Sequence, residues 1–247
     1  MIAHVDMPRI SEIVVEAGER YGVLPWNGWP QLLGDPQIKK HFDDLEIHLN
    51  SLGVGDWNIL KQKVIPRFRP TKHDASPVTK SRGWQSAMDL LNEAVAYRDL
   101  VEHGFSCVRF IRESSRKTPD LAAKKSGIDW GCEVKTINES DIEICLRMQG
   151  RVASSSVQLE SGFIEKLKKT IGAAGAQLKE FHCDKRAIFV ILNFDDSLHE
   201  YIDGYMNQIK NWLVSQPMEA DLYCFMARPP FATRHPRDWS RFVWPSD

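Results

Sequence analysis

Six apolar residues follow one another from Ala187 to Leu192, inside a run from Arg186 to Phe194 that shows no regular polar alternation. A strand wetted on one face alternates apolar and polar residues, so a continuous apolar run of this length reads as a strand covered on both faces. Such cover has to come from neighbouring elements. Ser161 to Phe181 puts Ile164, Leu167, Ile171, Ala174, Leu178 and Phe181 on one helical stripe, and Glu200 to Val214 reads as a further helix. Leu222 to Met226 is a last strand. Strands linked through helices favour parallel crossovers, which makes this half of the chain α/β. Ala187 to Leu192 is also the most apolar run present, far below the roughly 20 residues of a membrane span.

Upstream, Trp84 to His103 is predicted to be a helix with Leu90, Ala94, Tyr97 and Val101 on its apolar stripe, stopped by Gly104. Phe105 to Ile111, Thr118 to Ala123 and Ile128 to Ile137 read as three strands, the last two joined by a turn at Lys124-Lys125-Ser126-Gly127. Short links between them imply an antiparallel meander. From residue 83 the element order is therefore α, β, β, β, α, β, α, β, a mixed sheet flanked by helices.

Residues 1–82 read as a separate helical and irregular region, leaving 83–247 as the main domain. Ile10 to Tyr21 is one helix, closed by Gly22, and Gln37 to Leu52 another, stopped by Gly53. Between them, Leu24 to Asp35 reads as a packed irregular loop. In 61–82, seven basic residues including Arg67 and Arg69 face a single acid, Asp74, and three prolines forbid a long helix. This segment reads either as a solvated basic connector or as an arm that touches nucleic acid.

With 43% hydrophobic and 26% charged residues in 247, the chain has the composition of a soluble globular protein. Lys and Arg total 32 against 33 Asp and Glu, so nucleic-acid binding would need a local basic surface rather than overall charge. The five cysteines include no CxxC pair, which argues against a disulfide framework or a zinc site of usual spacing. Reduced thiols and the absence of a basic-then-apolar leader point to the cytoplasm.

The chemistry-bearing residues cluster on the hairpin. Thr118-Pro119-Asp120 lies on its first strand and Cys132-Glu133-Val134-Lys135-Thr136 on its second. Strand alternation sends Glu133 and Lys135 to one face, with Ile128, Trp130, Cys132 and Val134 forming a core face on the other. Glu133 and Lys135 are thus expected to face away from that core, and the hairpin can bring Asp120 beside Glu133. Two neighbouring carboxylates suit Mg²⁺, and an adjacent lysine suits a water attacking a phosphodiester.

Pro119-Asp120, followed thirteen residues later by Glu133-Val134-Lys135, resembles the PD-(D/E)XK nuclease superfamily, with its restriction-endonuclease-like αβββαβ core. The likeness extends over roughly 83–226 and includes the element order. Asn92-Glu93-Ala94-Val95 in the leading helix is similar to the first helix of many members. The resemblance implies that Asp120 and Glu133 hold Mg²⁺ (or Mn²⁺), with the Val134 carbonyl and Glu93 as further ligands, and that Lys135 acts on the water. Gln177 matches, more weakly, a polar residue on the substrate side.

Other patterns carry less. Gly172 to Gly175 sits within a helix and reads as close packing, and Ser154-Ser155-Ser156 reads as a loop. Asp195, Asp196, Glu200 and Asp203 read as the acidic start of a helix. Arg116, Lys117, Lys124, Lys125, Lys166 and Lys169, with Arg67 and Arg69, are candidates for a phosphate-tracking surface. The expected activity is Mg²⁺-dependent hydrolysis of nucleic acid, DNA before RNA, with no membrane role; the partners that come into question besides nucleic acid are a second copy of the chain and, as a weaker alternative, a larger complex. The competing reading is a catalytically silent nuclease-fold domain that binds a partner or nucleic acid.

Overall fold

In α1 (Arg9–Tyr21) and α2 (Pro36–Asn50) each helix caps the other. The Glu46 carboxylate accepts the N–H groups of Arg9 (2.7 Å) and Ile10 (3.0 Å), two of the donors a helix start leaves unpaired. In return the Arg9 guanidinium donates to the carbonyls of Leu49 and, at 3.1 Å, Leu52, where α2 ends. Each charge also sits at the helix end whose dipole favours it. The computed structural model describes residues 8–21, 36–68, 79, 85–112, 117–138, 140–149, 151, 157–193, 201–227 and 240–245. The chain divides into two units, Met1–Arg98 and Asp99–Asp247. Leu24 to Asp35, Gly22, Ser154 to Ser156, Asp195, Asp196 and Glu200 lie outside the described residues.

The first unit continues through α3 (Val54–Val64), a 3₁₀ turn (Ile65–Arg67) and into α4 (Gln85–Glu102), the helix within which the division falls. Its core includes Ile13, Ala17, Leu45, Leu49, Leu60, Val64 and Ile65, all buried. The basic connector expected from residue 61 is corrected here. Lys61 and Lys63 belong to α3 and are paired: Lys61 with Glu12 (2.6 Å) and Glu16 (3.0 Å), Lys63 with Glu93. Pro66 does not break the chain's path because it occupies the first turn of the 3₁₀ helix, where its missing N–H has no role. Arg67 is exposed in that turn, and Arg69 lies outside the described residues.

Helix α4 runs as expected, but its apolar stripe does not. Leu91 through Ala96 are buried on every side, including Asn92 and Glu93, whereas Val101 is exposed. Gly104 ends it at φ 80°. The Phe105 N–H reaches the Leu100 carbonyl (3.0 Å) and the Gly104 N–H the Val101 carbonyl (3.2 Å), the Schellman pairing that needs a left-handed residue.

The second unit is a mixed α/β fold, a six-stranded sheet flanked by helices. Its strands are β1 (Ser106–Phe110), β2 (Leu121–Lys125), β3 (Ile128–Ile137), β4 (Lys185–Leu192), β5 (Leu222–Ala227) and β6 (Ser240–Trp244), side by side in chain order. The meander β1-β2-β3 is antiparallel, β3-β4-β5 is parallel, and β6 returns antiparallel. Helices α5 (Asp141–Met148) and α6 (Ser161–Lys179) join β3 to β4, and α7 (Ile202–Val214) joins β4 to β5. The sequence reading missed α5 and β6. The hairpin turn is also shorter than expected. Only Ser126 (φ 53°) and Gly127 (φ 79°) form it, and Lys124 and Lys125 are paired residues of β2. Two left-handed residues give a hairpin loop the twist of its strands.

β4 is buried from Ala187 to Leu192, as its composition demands. One sheet face carries Ile137, Ile188, Val190, Leu192, Tyr223 and Phe225 and packs on Leu167, Ile171, Ala174 and Leu178 of α6 and on α7. Gly175 allows close approach here, since a Cβ would lie 2.7 Å from that of Glu219; Gly172 faces open space. Glu133 shares its strand face with Ile137, so the hairpin face expected to point away from the core is itself covered by α6. Glu133 is only 1% exposed. On the opposite face, Asp99 from the last turn of α4 forms two hydrogen bonds with Arg241 of β6, at 2.7 and 3.0 Å. No helix among the described residues is long and apolar enough to cross a membrane.

Candidate active site

Asp120 immediately precedes β2. Its carbonyl accepts the Ile111 N–H (3.0 Å), tying it to the end of β1, and its Oδ2 accepts the Val134 N–H at 2.8 Å. The register pairs Leu121 with Cys132, so one step back sets Asp120 opposite Glu133. Both carboxylates therefore sit at the same place on two adjacent strands. In a strand the N–H and C=O of one residue leave by the same edge. The Val134 carbonyl accordingly points to the edge where Asp120 takes its N–H.

The buried Glu133 carboxylate is held from two directions. Lys135 forms an ion pair with Oε1, and Gln177 Nε2 donates to Oε2 at 2.8 Å. The same Gln177 amide donates to the Thr118 carbonyl at 2.6 Å. One side chain of α6 thus ties the segment before β2 to the acid on β3. An ionised carboxylate at this depth needs such partners, because burial without them strongly disfavours the charge. Lys135 is about a third exposed and forms the solvent side of the group.

The neighbouring Cys132 reports the local field. Burial pushes its thiol well up, and the negative charges of Asp120 and Glu133 push it further. Cys224, on the face of Asp99, is likewise raised, first by burial and then by that carboxylate. Cys107 and Cys145 are exposed. A thiol reagent is therefore expected to modify Cys107 and Cys145 in the native protein, and Cys132 and Cys224 only on unfolding. Fast native labelling at Cys132, located by peptide mass, would contradict its burial beside the acids.

The sequence candidates separate into three groups. Asp120, Glu133, Val134, Lys135 and Gln177 are brought together. Glu93 lies in the first unit, where both its oxygens are taken by Lys63 at 2.9 and 2.7 Å, with both side chains under 8% exposed. The basic candidates have local partners: Lys117 pairs with Glu180 and Lys124 with Asp129, Lys125 lies over the Phe105 ring, and Lys166 donates to the Asn138 carbonyl. Lys169 is exposed on α6 beside Lys168, and Arg116 lies outside the described residues.

Two carboxylates and a strand carbonyl offer hard oxygen donors of the kind Mg²⁺ and Mn²⁺ take, with the remaining positions left to water and substrate. Among the described residues no cluster of three or more His, Cys, Asp or Glu could hold a metal. A cation here would thus rest on Asp120, Glu133 and the Val134 carbonyl. No family model, curated protein or solved structure matches this chain.

Proposed function

We propose that this protein is a metal-dependent nuclease with a restriction-endonuclease-like core, hydrolysing phosphodiester bonds of nucleic acid, DNA before RNA. The observation that carries this reading is the register of Asp120 opposite Glu133 with Lys135 and Gln177 both on the Glu133 carboxylate. Asp120, Glu133 and the Val134 carbonyl would hold Mg²⁺ or Mn²⁺. Bound there, the cation acidifies a water and offsets phosphate charge. Lys135, at the exposed side of the group, orients the attacking water and stabilises negative charge as it develops on phosphorus-bound oxygen. Gln177 fixes the Glu133 rotamer against the Thr118 carbonyl, so that the carboxylate needs no rearrangement when substrate arrives. Glu93 is left out of the minimal site because Lys63 already balances its charge.

The αβββαβ order supports this assignment. α4, the β1-β2-β3 meander, α6 and the parallel β4 occur in that sequence, with the acids on β3 and just before β2. A second reading has its own observation. With Lys135 and Gln177 in place the Glu133 carboxylate is satisfied without metal, as a silent nuclease-fold binding domain would require. Incubation of the protein with single-stranded, duplex and branched DNA, with and without Mg²⁺ or Mn²⁺, separates the two. Metal-dependent product supports the enzyme; binding without product in any metal establishes the silent domain.

Charge reversal at the exposed Lys168 and Lys169 tests the nucleic-acid surface. If each touches a phosphate of duplex DNA, each change should lower the slope of log affinity against log salt by about 0.9. An unchanged slope removes α6 from the contact surface.

A further inference from the structure

Strand β1 carries one residue more than the stretch of β2 it pairs with. Ser106 stands opposite Lys124 and Arg109 opposite Ala122, so three steps on β1 match two on β2. The extra residue lies between Ser106 and Arg109, where Cys107 is left-handed at φ 51°. Bulges of this kind re-aim side chains and are frequent beside active sites. A regular ladder continued from Ser106 would set Val108 opposite Ala122. The bulge sets Arg109 there instead and leaves Val108 buried.

Residues paired across neighbouring strands point to one side of a sheet, and alternate residues of a strand share a side. Arg109 pairs with Ala122, Ala122 with Gly131, and Gly131 is two residues before Glu133, so Arg109 stands on the face of Glu133 and Lys135. A Cβ on Gly131 would lie 3.5 Å from Leu178 of α6, the helix over that face. Asp120 is two residues before Ala122. With strands about 4.8 Å apart and two residues rising about 6.8 Å, the Cα atoms of Arg109 and Asp120 lie about 8 Å apart. Helix α6 packs on β3 and β4, so a ligand reaches the acids from the side of β2 and β1, past Arg109. Arg109 is exposed, and its side chain has no hydrogen bond or ion pair among the described residues. Lys117 and Lys124, by contrast, are paired with Glu180 and Asp129.

We propose that Arg109 binds a backbone phosphate one nucleotide away from the phosphate at the acid pair, its planar fork taking two oxygens at once. This rests on the nuclease reading for the place of the reacting phosphate, whereas the contact itself needs only a nucleic acid on this face. The neighbouring phosphate does not react, so Arg109 holds it equally well before and in the transition state. Arg109→Ala should therefore raise KM about tenfold and leave kcat near wild type, unlike a group that acts on the water. The Kd for duplex DNA in Ca²⁺ should rise by the same factor. The slope of log affinity against log salt should fall by about 0.9. Lys210→Ala removes an exposed lysine of α7, the helix that packs on β6 at the other edge of the sheet, and should change none of these.

Duplexes in which one linkage at a time is an uncharged methylphosphonate locate the contact. Wild type should lose affinity about tenfold at one linkage, beside the cut in a cleaved duplex, and Arg109→Ala should lose nothing further there. Folded Arg109→Ala, checked by circular dichroism, that keeps wild-type KM, Kd and salt slope makes the residue a solvated edge charge and overturns the proposal. So does a variant still sensitive to the same linkage as wild type. Wild type that binds in Ca²⁺ with these Arg109 effects yet never cuts keeps the phosphate contact and removes the nuclease. Cleavage and binding that Arg109→Ala leaves untouched do the reverse, and wild type that neither binds nor cuts overturns both.

Discussion

Lys135→Ala is expected to cut nucleic acid ~10²–10³-fold more slowly than wild type, the loss typical of removing one preorganised electrostatic group. Asp120→Ala should lose at least as much, because it takes away half of the carboxylate pair and also the acceptor for the Val134 N–H. Binding should survive in both and tighten in Asp120→Ala, where a negative charge near phosphate has gone. The two variants differ in a further way. Lys135→Ala leaves the buried Glu133 without its cation, with Gln177 as a hydrogen-bond partner. Its carboxyl should take up a proton more readily, and the residual activity should rise with pH over a higher range than in wild type. Cleavage and filter binding on the same preparations, across pH, read all of this. Variants that cut as wild type does would end the assignment of the site.

The second large effect concerns stability. Glu93→Ala removes the carboxylate that pairs with Lys63, whose side chain is 7% exposed. Removing one partner of a buried ion pair typically costs about 3–5 kcal/mol, because the other charge stays buried and loses its main counter-charge. Urea unfolding of Glu93→Ala should show this as a lowered midpoint. Pairing the change with Lys63→Met should restore most of it, since no charge then remains to be buried. Cleavage by the double variant decides what Glu93 is for. Recovery of stability and activity together makes the residue structural. Recovery of stability alone puts its carboxylate back among the metal ligands.

The central elements were legible because their local signals agree with their packing. β4 is continuously apolar and lies between two strands, under helices; α6 buries the stripe its spacing shows. The approach of Asp120 to Glu133 was legible from the hairpin alone, since register on adjacent strands needs no distant information. What failed depended on distant partners. Lys63 looks solvated until Glu93, 30 positions away, reaches it. Glu133 looks exposed because Gly131, Glu133 and Lys135 hide the fact that Ile137, of the same parity, belongs to the core under α6. β6 has no alternation of its own, and its pairing with β5 is fixed by contacts far outside any local window.

The bond from Asp99 to Arg241 spans 142 positions and joins the last turn of a helix at the start of the second unit to the final strand of its sheet. As the chain leaves the ribosome, the Asp99 carboxylate emerges long before its guanidinium. Until then the guanidinium that offsets burial of its charge is missing, although His103 stands 3.4 Å away, so closing the surface it shares with Cys224 is disfavoured. Hence the meander and its helices are expected to assemble first, and that face of the sheet to seal last. A nascent chain stalled before residue 240 should accordingly keep Cys224 open to alkylation, and release of the full chain should protect it.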